Sequence, residues 1–141
     1  VFIECIDCRE IRAGNAWIIA FLKAADIQRI VIDGANGQVL LQSDLKDAGI
    51  KTKCILPTVK EVITANADFE QGLCQRMIVH MGQPSLVQAV SNCEKRMIGT
   101  NGGFGYRAQK EGIEIALLES VIYAYWSCNT FKEHKKQKVI Y

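Results

Sequence analysis

Residues 29–49, RIVIDGANGQVLLQSDLKDAG, contain the change of pattern that decides the fold class. A short β-branched run ends at Asp33, two glycines follow within four residues, and apolar residues then recur at helical spacing. Such a run is typical of a strand buried on both faces, and it predicts a strand over residues 27–32 and a helix over residues 39–48. Asp33 then lies at the carboxyl end of the strand. There it either caps the turn with its own side chain or contributes to a binding site, and this stretch alone leaves both interpretations open.

The whole chain has the composition of a single globular domain. Its 141 residues carry a formal net charge of +2, with 49% hydrophobic and 23% charged residues, which is ordinary for globular proteins. A charge this small gives no general attraction to nucleic acid, so any contact with DNA has to come from local basic patches. The sequence contains no run of about 18 apolar residues, so it predicts no membrane span. Its N-terminus lacks the pattern of a signal peptide. The chain starts in an apolar strand pattern without Met, which we interpret as a piece of a longer protein.

The spacing of the cysteines does not favour zinc. Cys5 and Cys8 form one C-x2-C pair, but a zinc site needs a second pair of ligands at matching spacing, and neither His80 nor His134 supplies one. Three further cysteines lie within or beside apolar segments, where a cysteine acts as a small hydrophobic side chain. We therefore expect six reduced thiols in an intracellular protein.

Strand and helix patterns alternate along the rest of the chain. Thr58 and Glu61 form a capping box, in which each side chain satisfies a backbone amide at the start of a helix. Pro84 suits the first position of the next helix. Further strand patterns occur at residues 1–8, 53–56 and 76–81, and further helical patterns at residues 16–25 and 112–126. The alternation predicts an α/β domain with mainly parallel strands covered by helices.

The last predicted helix, over residues 112–126, is apolar nearly all round but contains two carboxylates. A buried carboxylate is costly unless it is paired or binds a metal. Glu114 is expected at the helix start, where the dipole tolerates negative charge, and Glu119 deeper, so at about 100° per residue the two point about 140° apart. Glu114 as a helix-start charge and Glu119 on a solvent edge are the simpler interpretations. Acids on separate elements are also what a site for two Mg²⁺ or Mn²⁺ ions requires.

A glycine-rich segment between basic residues is predicted to form a hairpin or mobile loop over residues 97–106. Arg96 and Arg107 flank this segment, and Gly102 and Gly103 lie at its centre. Basic and aromatic residues on a flexible loop suit contact with the DNA backbone. An ordinary hairpin with solvated charges is an equal alternative.

Three other features carry a weaker functional signal. Neither the hairpin segment nor residues 34–37 completes a phosphate-binding loop, and the chain has no ATPase motif. His80 follows a strand pattern, where a lone histidine is more often a packing or hydrogen-bonding residue than a catalyst. Residues 129–141 form a basic tail, which is either a solvated end or a weak attraction for phosphate.

Five stretches, taken in order, resemble one protein family: VIDGANG, ILPTVKEVITANADFEQGL, HMGQPSLVQAVSNCEKR, GTNGGFGY and IEIALLESVIYAYW. Together they resemble the C-terminal part of the large terminase subunits of tailed bacteriophages and prophages of Gram-positive bacteria. The resemblance implies a ribonuclease H-like nuclease domain over residues 1–128, with a mainly parallel central sheet flanked by helices. It would cut concatemeric double-stranded DNA during genome packaging in the host bacterial cytoplasm, with the small terminase subunit and the portal as partners.

The family binds Mg²⁺ or Mn²⁺ at three acidic positions, and the resemblance carries over two of them. Asp33 matches the central-strand acid within a D-x-x-x-G pattern, so it is implied as a metal ligand and catalytic residue. Glu114 falls near the last-helix acid and is implied in the same roles, while Glu119 is a second acidic position of that helix, where the family often has Asp. The first acid is expected upstream of Val1, with Asp7 as a substitute of unsuitable context. A sheet without its first strands would expose strand edges and favour self-association.

Two other functions stay open. A non-catalytic docking module, or a prophage remnant, would contact the portal or the small terminase subunit and bind Mn²⁺ no better than any acidic surface. A flavodoxin-like nucleotide-binding domain would hold phosphate near residues 34–37, and it would be stabilised by nucleotides rather than by Mn²⁺.

Overall fold

A computed structural model describes residues 1–34 and 37–131, and within them it contains five α-helices, one short 3-10 helix (Ile11–Ala13) and six strands. The predicted α/β class is confirmed. The predicted basic tail lies almost wholly outside the described residues, as do two positions of the predicted 34–37 loop. The helices are α1 (Ala16–Ala24), α2 (Gln38–Asp47), α3 (Val59–Cys74), α4 (Pro84–Ser91) and α5 (Ala116–Thr130), and the strands are β1 (Phe2–Ile3), β2 (Arg29–Val31), β3 (Lys53–Ile55), β4 (Val79–His80), β5 (Cys93–Ile98) and β6 (Gly103–Ala108).

The strands of the described ranges form three separate two-stranded pairs. β1 pairs with β4 and β2 pairs with β3, both parallel, while β5 and β6 form an antiparallel hairpin. The prediction of mainly parallel pairing therefore holds for two of the three pairs, but these pairs do not join into one central sheet. β1 to β4 are only two or three residues long, so each makes few ladder hydrogen bonds, and the pairs depend on the helices packed beside them.

Helix α5 is the centre of the core. Its side chains Leu118, Ile122 and Trp126 are each 2% exposed, because the helix contacts α3, α4, β1 and β2. The spacing of these three residues is i, i+4, i+8, the stripe that one face of a helix presents to its neighbours. Residues from those neighbours complete the cluster, among them Ile3, Ala65, Phe69, Leu86 and Ala89. A helix that is apolar nearly all round thus packs against several small elements at once.

Helix α3 begins as its sequence predicts. The Thr58 hydroxyl accepts a hydrogen bond from the Glu61 backbone N–H at 3.3 Å, and the Glu61 carboxylate accepts one from the Thr58 backbone N–H at 2.8 Å. Both halves of the capping box are therefore present. Asn66 interrupts the apolar stripe and is 4% exposed, but its amide donates to the Val62 carbonyl at 2.8 Å, which offsets part of the cost of burial.

Helix α5 begins four residues later than its sequence predicts. A turn precedes it, in which the Ile113 backbone N–H donates to the Lys110 carbonyl at 3.4 Å and Gly112 has a φ of +82°. Helical residues have φ of about −63°, so no helix can contain Gly112 in this conformation. The prediction that Glu114 stands at the helix start is therefore wrong: Glu114 precedes α5, and Glu119 is the acidic residue of its first turn. No helix within the described ranges combines the length and apolarity needed to cross a membrane.

Candidate functional site

Asp33 lies two residues beyond the end of β2, at the carboxyl end of the strand. The ladder extends slightly past β2, since the Ile32 backbone N–H donates to the Ile55 carbonyl at 3.0 Å, and Ile32 itself is 7% exposed. The next residue, Asp33, is exposed, so the chain leaves the core at this point. The Tyr123 hydroxyl of α5 donates a hydrogen bond to Asp33 Oδ2. The strand tip is thereby tied to the central helix through a charged side chain.

Glu119 and Tyr123 lie on the face of α5 that is directed towards this strand tip. They are four residues apart, so they lie on neighbouring turns of one face. Together with Asp33 they line two adjoining spaces: a groove of about 710 Å³ that follows β2, and a smaller cavity of about 40 Å³ that Arg96 also lines. We call these four residues, Asp33, Arg96, Glu119 and Tyr123, the carboxylate site.

The two acids of the carboxylate site are close enough to influence each other. Glu119 is exposed as a residue, but protein atoms around its carboxylate, and then the charge of Asp33, raise its pKa, whereas Arg96 lowers it. Burial, followed by the hydrogen bond to Asp33, raises the pKa of the Tyr123 phenol. Tyr123 therefore stays a neutral donor at physiological pH, and the site carries two mutually repelling carboxylates beside one guanidinium.

Arg96 reaches the site from the β5–β6 hairpin. Its position pairs with Gly105 across the hairpin, where the absence of a side chain leaves room. The Arg96 Nε–H donates to the Tyr106 carbonyl at 3.3 Å, which fixes the guanidinium near the acids. A cation held in this position can bind a phosphate group that approaches the two carboxylates.

The other three residues predicted to contact DNA have different surroundings. Arg107 forms an exposed ion pair with Glu94, its cross-strand partner, at 2.7 Å. Gly102 is exposed at the hairpin turn, with a φ of +80°. Gly103 is buried, and a Cβ atom there would lie 2.7 Å from Ile63 of α3. Gly103 therefore has a packing role, and the structure leaves Arg96, Gly102 and Arg107 accessible to a ligand.

The structure does not bring Glu114 to Asp33. Glu114 lines a separate cavity of about 260 Å³ together with Cys8 and residues of α4. Burial, followed by the charges of Glu114 and Asp7, raises the pKa of the Cys8 thiol. Of the two acids implied by the resemblance for the last helix, it is Glu119 that shares a site with Asp33.

The remaining sequence candidates have local partners. Asp7 pairs with Arg9 at 2.7 Å, and a hydrogen bond from Arg9, then one from the Cys8 backbone N–H, lower the pKa of Asp7. The His80 Nδ1 accepts a hydrogen bond from the Gly82 backbone N–H at 3.0 Å, which stabilises the turn after β4. All six cysteines fall in the described ranges and have free thiols.

A hard divalent cation fits the donors of the carboxylate site. Asp33 and Glu119 offer carboxylate oxygens, the ligands that Mg²⁺ and Mn²⁺ prefer, and their repulsion is what a bound cation would relieve. Two acids suffice to hold one ion, with water or phosphate as the other ligands. A group of three or more His, Cys, Asp or Glu side chains placed for metal binding is absent from residues 1–34 and 37–131.

Tyr123 is the member of the site that reasoning from the sequence missed. The signal is its i+4 spacing from Glu119 on a helix that is otherwise apolar, since polar groups on one face of a buried helix tend to meet a common partner.

Comparisons of the chain with protein-family models, with curated proteins and with solved structures found no match.

Proposed function

We propose that this chain is the metal-dependent nuclease domain of a large terminase subunit of a tailed phage or prophage, with a ribonuclease H-like fold. It would cut concatemeric double-stranded DNA in the cytoplasm of the bacterial host. The observation that carries the proposal is the convergence of Asp33 and Glu119, from two different elements, on one site with Arg96 beside them. The five family-like stretches and the position of Asp33 at the carboxyl end of a strand support it.

The two acids and the arginine of the carboxylate site each have a role in this proposal. Asp33 and Glu119 hold Mg²⁺ or Mn²⁺ through their carboxylate oxygens, and Arg96 binds and orients the phosphate to be cut. When bound, such an ion polarises the phosphate and lowers the pKa of a coordinated water. Gly102 and Arg107, on the exposed part of the hairpin, contact the DNA backbone on either side. In the complete packaging machine the small terminase subunit and the portal are the protein partners.

The test is cleavage of a supercoiled plasmid by the full-length protein in Mn²⁺. We expect Asp33→Asn to abolish cleavage without unfolding the protein, because Asn keeps the shape of the side chain but removes the charge that binds the metal. Asp47→Asn is the matched control, since Asp47 is exposed at the end of α2 and lines none of the cavities around the site. Cleavage by Asp33→Asn at the wild-type rate would contradict the assignment.

A docking module is the second candidate, and one observation favours it. Apolar side chains are exposed on the β1–β4 pair and directly after β4: Phe2 and Val79 are each 57% exposed, and Met81 is 73% exposed. Exposed apolar groups that lie together mark sites of protein contact. A module that only docks would bind Mn²⁺ no more tightly with Asp33 than with Asn at the same position. Loss of Mn²⁺ binding in Asp33→Asn would therefore separate the nuclease from the docking module.

A further inference from the structure

The side chain of Tyr123 has an apolar part and a polar part with different surroundings. The residue is 8% exposed and belongs to the core cluster, so its ring position is fixed by packing on α5. Its hydroxyl reaches out of that core to Asp33 Oδ2. Asp33, by contrast, is exposed at a strand tip and is followed by Gly34, whose φ is +100°. The exposed carboxylate thus accepts a hydrogen bond from a side chain whose ring is held in the core.

We infer that Tyr123 is a positioning residue for the metal-binding carboxylate of Asp33, an inference that rests on the proposed function. The Tyr123 hydroxyl donates to Oδ2 and so restricts the rotation of the carboxylate, which would leave Oδ1 available to a cation. Tyr123 touches neither the cation nor the DNA and acts only through Asp33.

Helix α5 then supplies both a metal ligand and the residue that positions the other ligand. Glu119 is a ligand on α5, and Tyr123, one turn further along, orients the ligand that comes from β2. Because both residues belong to the same rigid helix, the separation of the two carboxylates is set by α5 rather than by the exposed segment after β2. Groups that orient a ligand in this way matter for affinity, and their removal commonly weakens metal binding by about 10–100-fold.

The test is Mn²⁺ binding by the 141-residue chain without DNA, followed through the electron paramagnetic resonance signal of free Mn²⁺. Tyr123→Phe removes the hydroxyl and keeps the ring, so the core stays filled. Tyr125→Phe is the matched control, because Tyr125 is also buried on α5, at 5% exposure, and packs edge-on against Phe69 instead of meeting Asp33. Asp33→Asn gives the level of binding that remains without the ligand.

We expect Tyr123→Phe to weaken Mn²⁺ binding about tenfold or more, Tyr125→Phe to bind as the wild type does, and both metal-free variants to unfold in one cooperative thermal transition. Equal weakening by both variants would mean a general effect of the core and would overturn the inference. Wild-type affinity in Tyr123→Phe, with binding lost in Asp33→Asn, would overturn the role of Tyr123 and leave the proposed function standing. Absence of Mn²⁺ binding in the wild-type chain would overturn both.

Discussion

Glu119 occupies a place where the surrounding protein opposes its charge. Partial burial of the carboxylate, and then Asp33, raise its pKa above the ordinary value of 4.5. The folded state therefore holds the Glu119 proton more firmly than the unfolded state does, so this group costs stability as the pH rises from the unfolded pKa through the folded one. Below both pKa values the cost is absent. A residue kept at such a cost is typical of a binding site rather than of a structural ion pair.

Replacement of Glu119 by Gln should accordingly raise the thermal midpoint of the metal-free chain near neutral pH by roughly 1–2 °C, a small value because the residue is exposed and its charge is screened. The gain should vanish well below the ordinary carboxyl pKa, where the wild-type carboxyl is protonated in both the folded and the unfolded state. Thermal unfolding followed by circular dichroism at the two pH values measures the difference. A midpoint that falls in Glu119→Gln at neutral pH would mean that the charge is stabilised by partners, contrary to this interpretation.

At the scale of single elements, the β5–β6 hairpin owes its position to its glycines. Gly103 packs against α3, and a Cβ atom there would meet Ile63 at 2.7 Å and the Ile98 carbonyl oxygen at 2.8 Å. At Gly105 a Cβ atom would meet Ile98 Cδ1 at 2.9 Å, which is the far end of a flexible side chain. The hairpin is also anchored by Glu70 of α3, which accepts a hydrogen bond from Tyr106 and pairs with Lys95. The close approach of hairpin and helix brings Arg96 to the carboxylates.

Gly103→Ala should therefore destabilise the chain more than Gly105→Ala does. Overpacking against the backbone carbonyl oxygen costs about 1–3 kcal/mol, which lowers the midpoint of a chain of this length by roughly 3–10 °C. At Gly105 the neighbouring side chain can move aside, so a smaller loss is expected. Both midpoints come from the same thermal scans. If Gly103→Ala unfolded with the wild-type midpoint while DNA binding fell, Gly103 would be a contact to DNA after all.

The helices could be predicted from the sequence where their ends are decided locally. The capping box of Thr58 and Glu61 lies within four residues, and the start of α3 followed from it. The start of α5 could not be predicted in this way, because Gly112 is compatible with a helix until its positive φ is known. This difference of four residues placed Glu114 at a helix end in the prediction and outside the helix in the structure.

At the scale of the whole molecule, the pairing between distant segments could not be predicted from the sequence. β1 and β4 are separated by more than seventy residues and pair over only two positions each, so no local pattern fixes their length. Asp33 could be identified as an acid at a strand end, but its proximity to Glu119 depends on how β2 packs against α5. Tyr123 lacked any signal besides its spacing, since a tyrosine in an apolar helix is usually only a core residue.

We propose that Asp33 and Glu119, and not Glu114, form the metal-binding pair of a nuclease. The most direct measurement compares Mn²⁺-dependent plasmid cleavage by two variants of the full-length protein, Glu119→Gln and Glu114→Gln, which differ only in the position of the lost charge. We expect Glu119→Gln to lose cleavage and Glu114→Gln to keep it, because Glu114 lines a different cavity. Loss of cleavage in Glu114→Gln with wild-type cleavage in Glu119→Gln would contradict this assignment of the metal ligands.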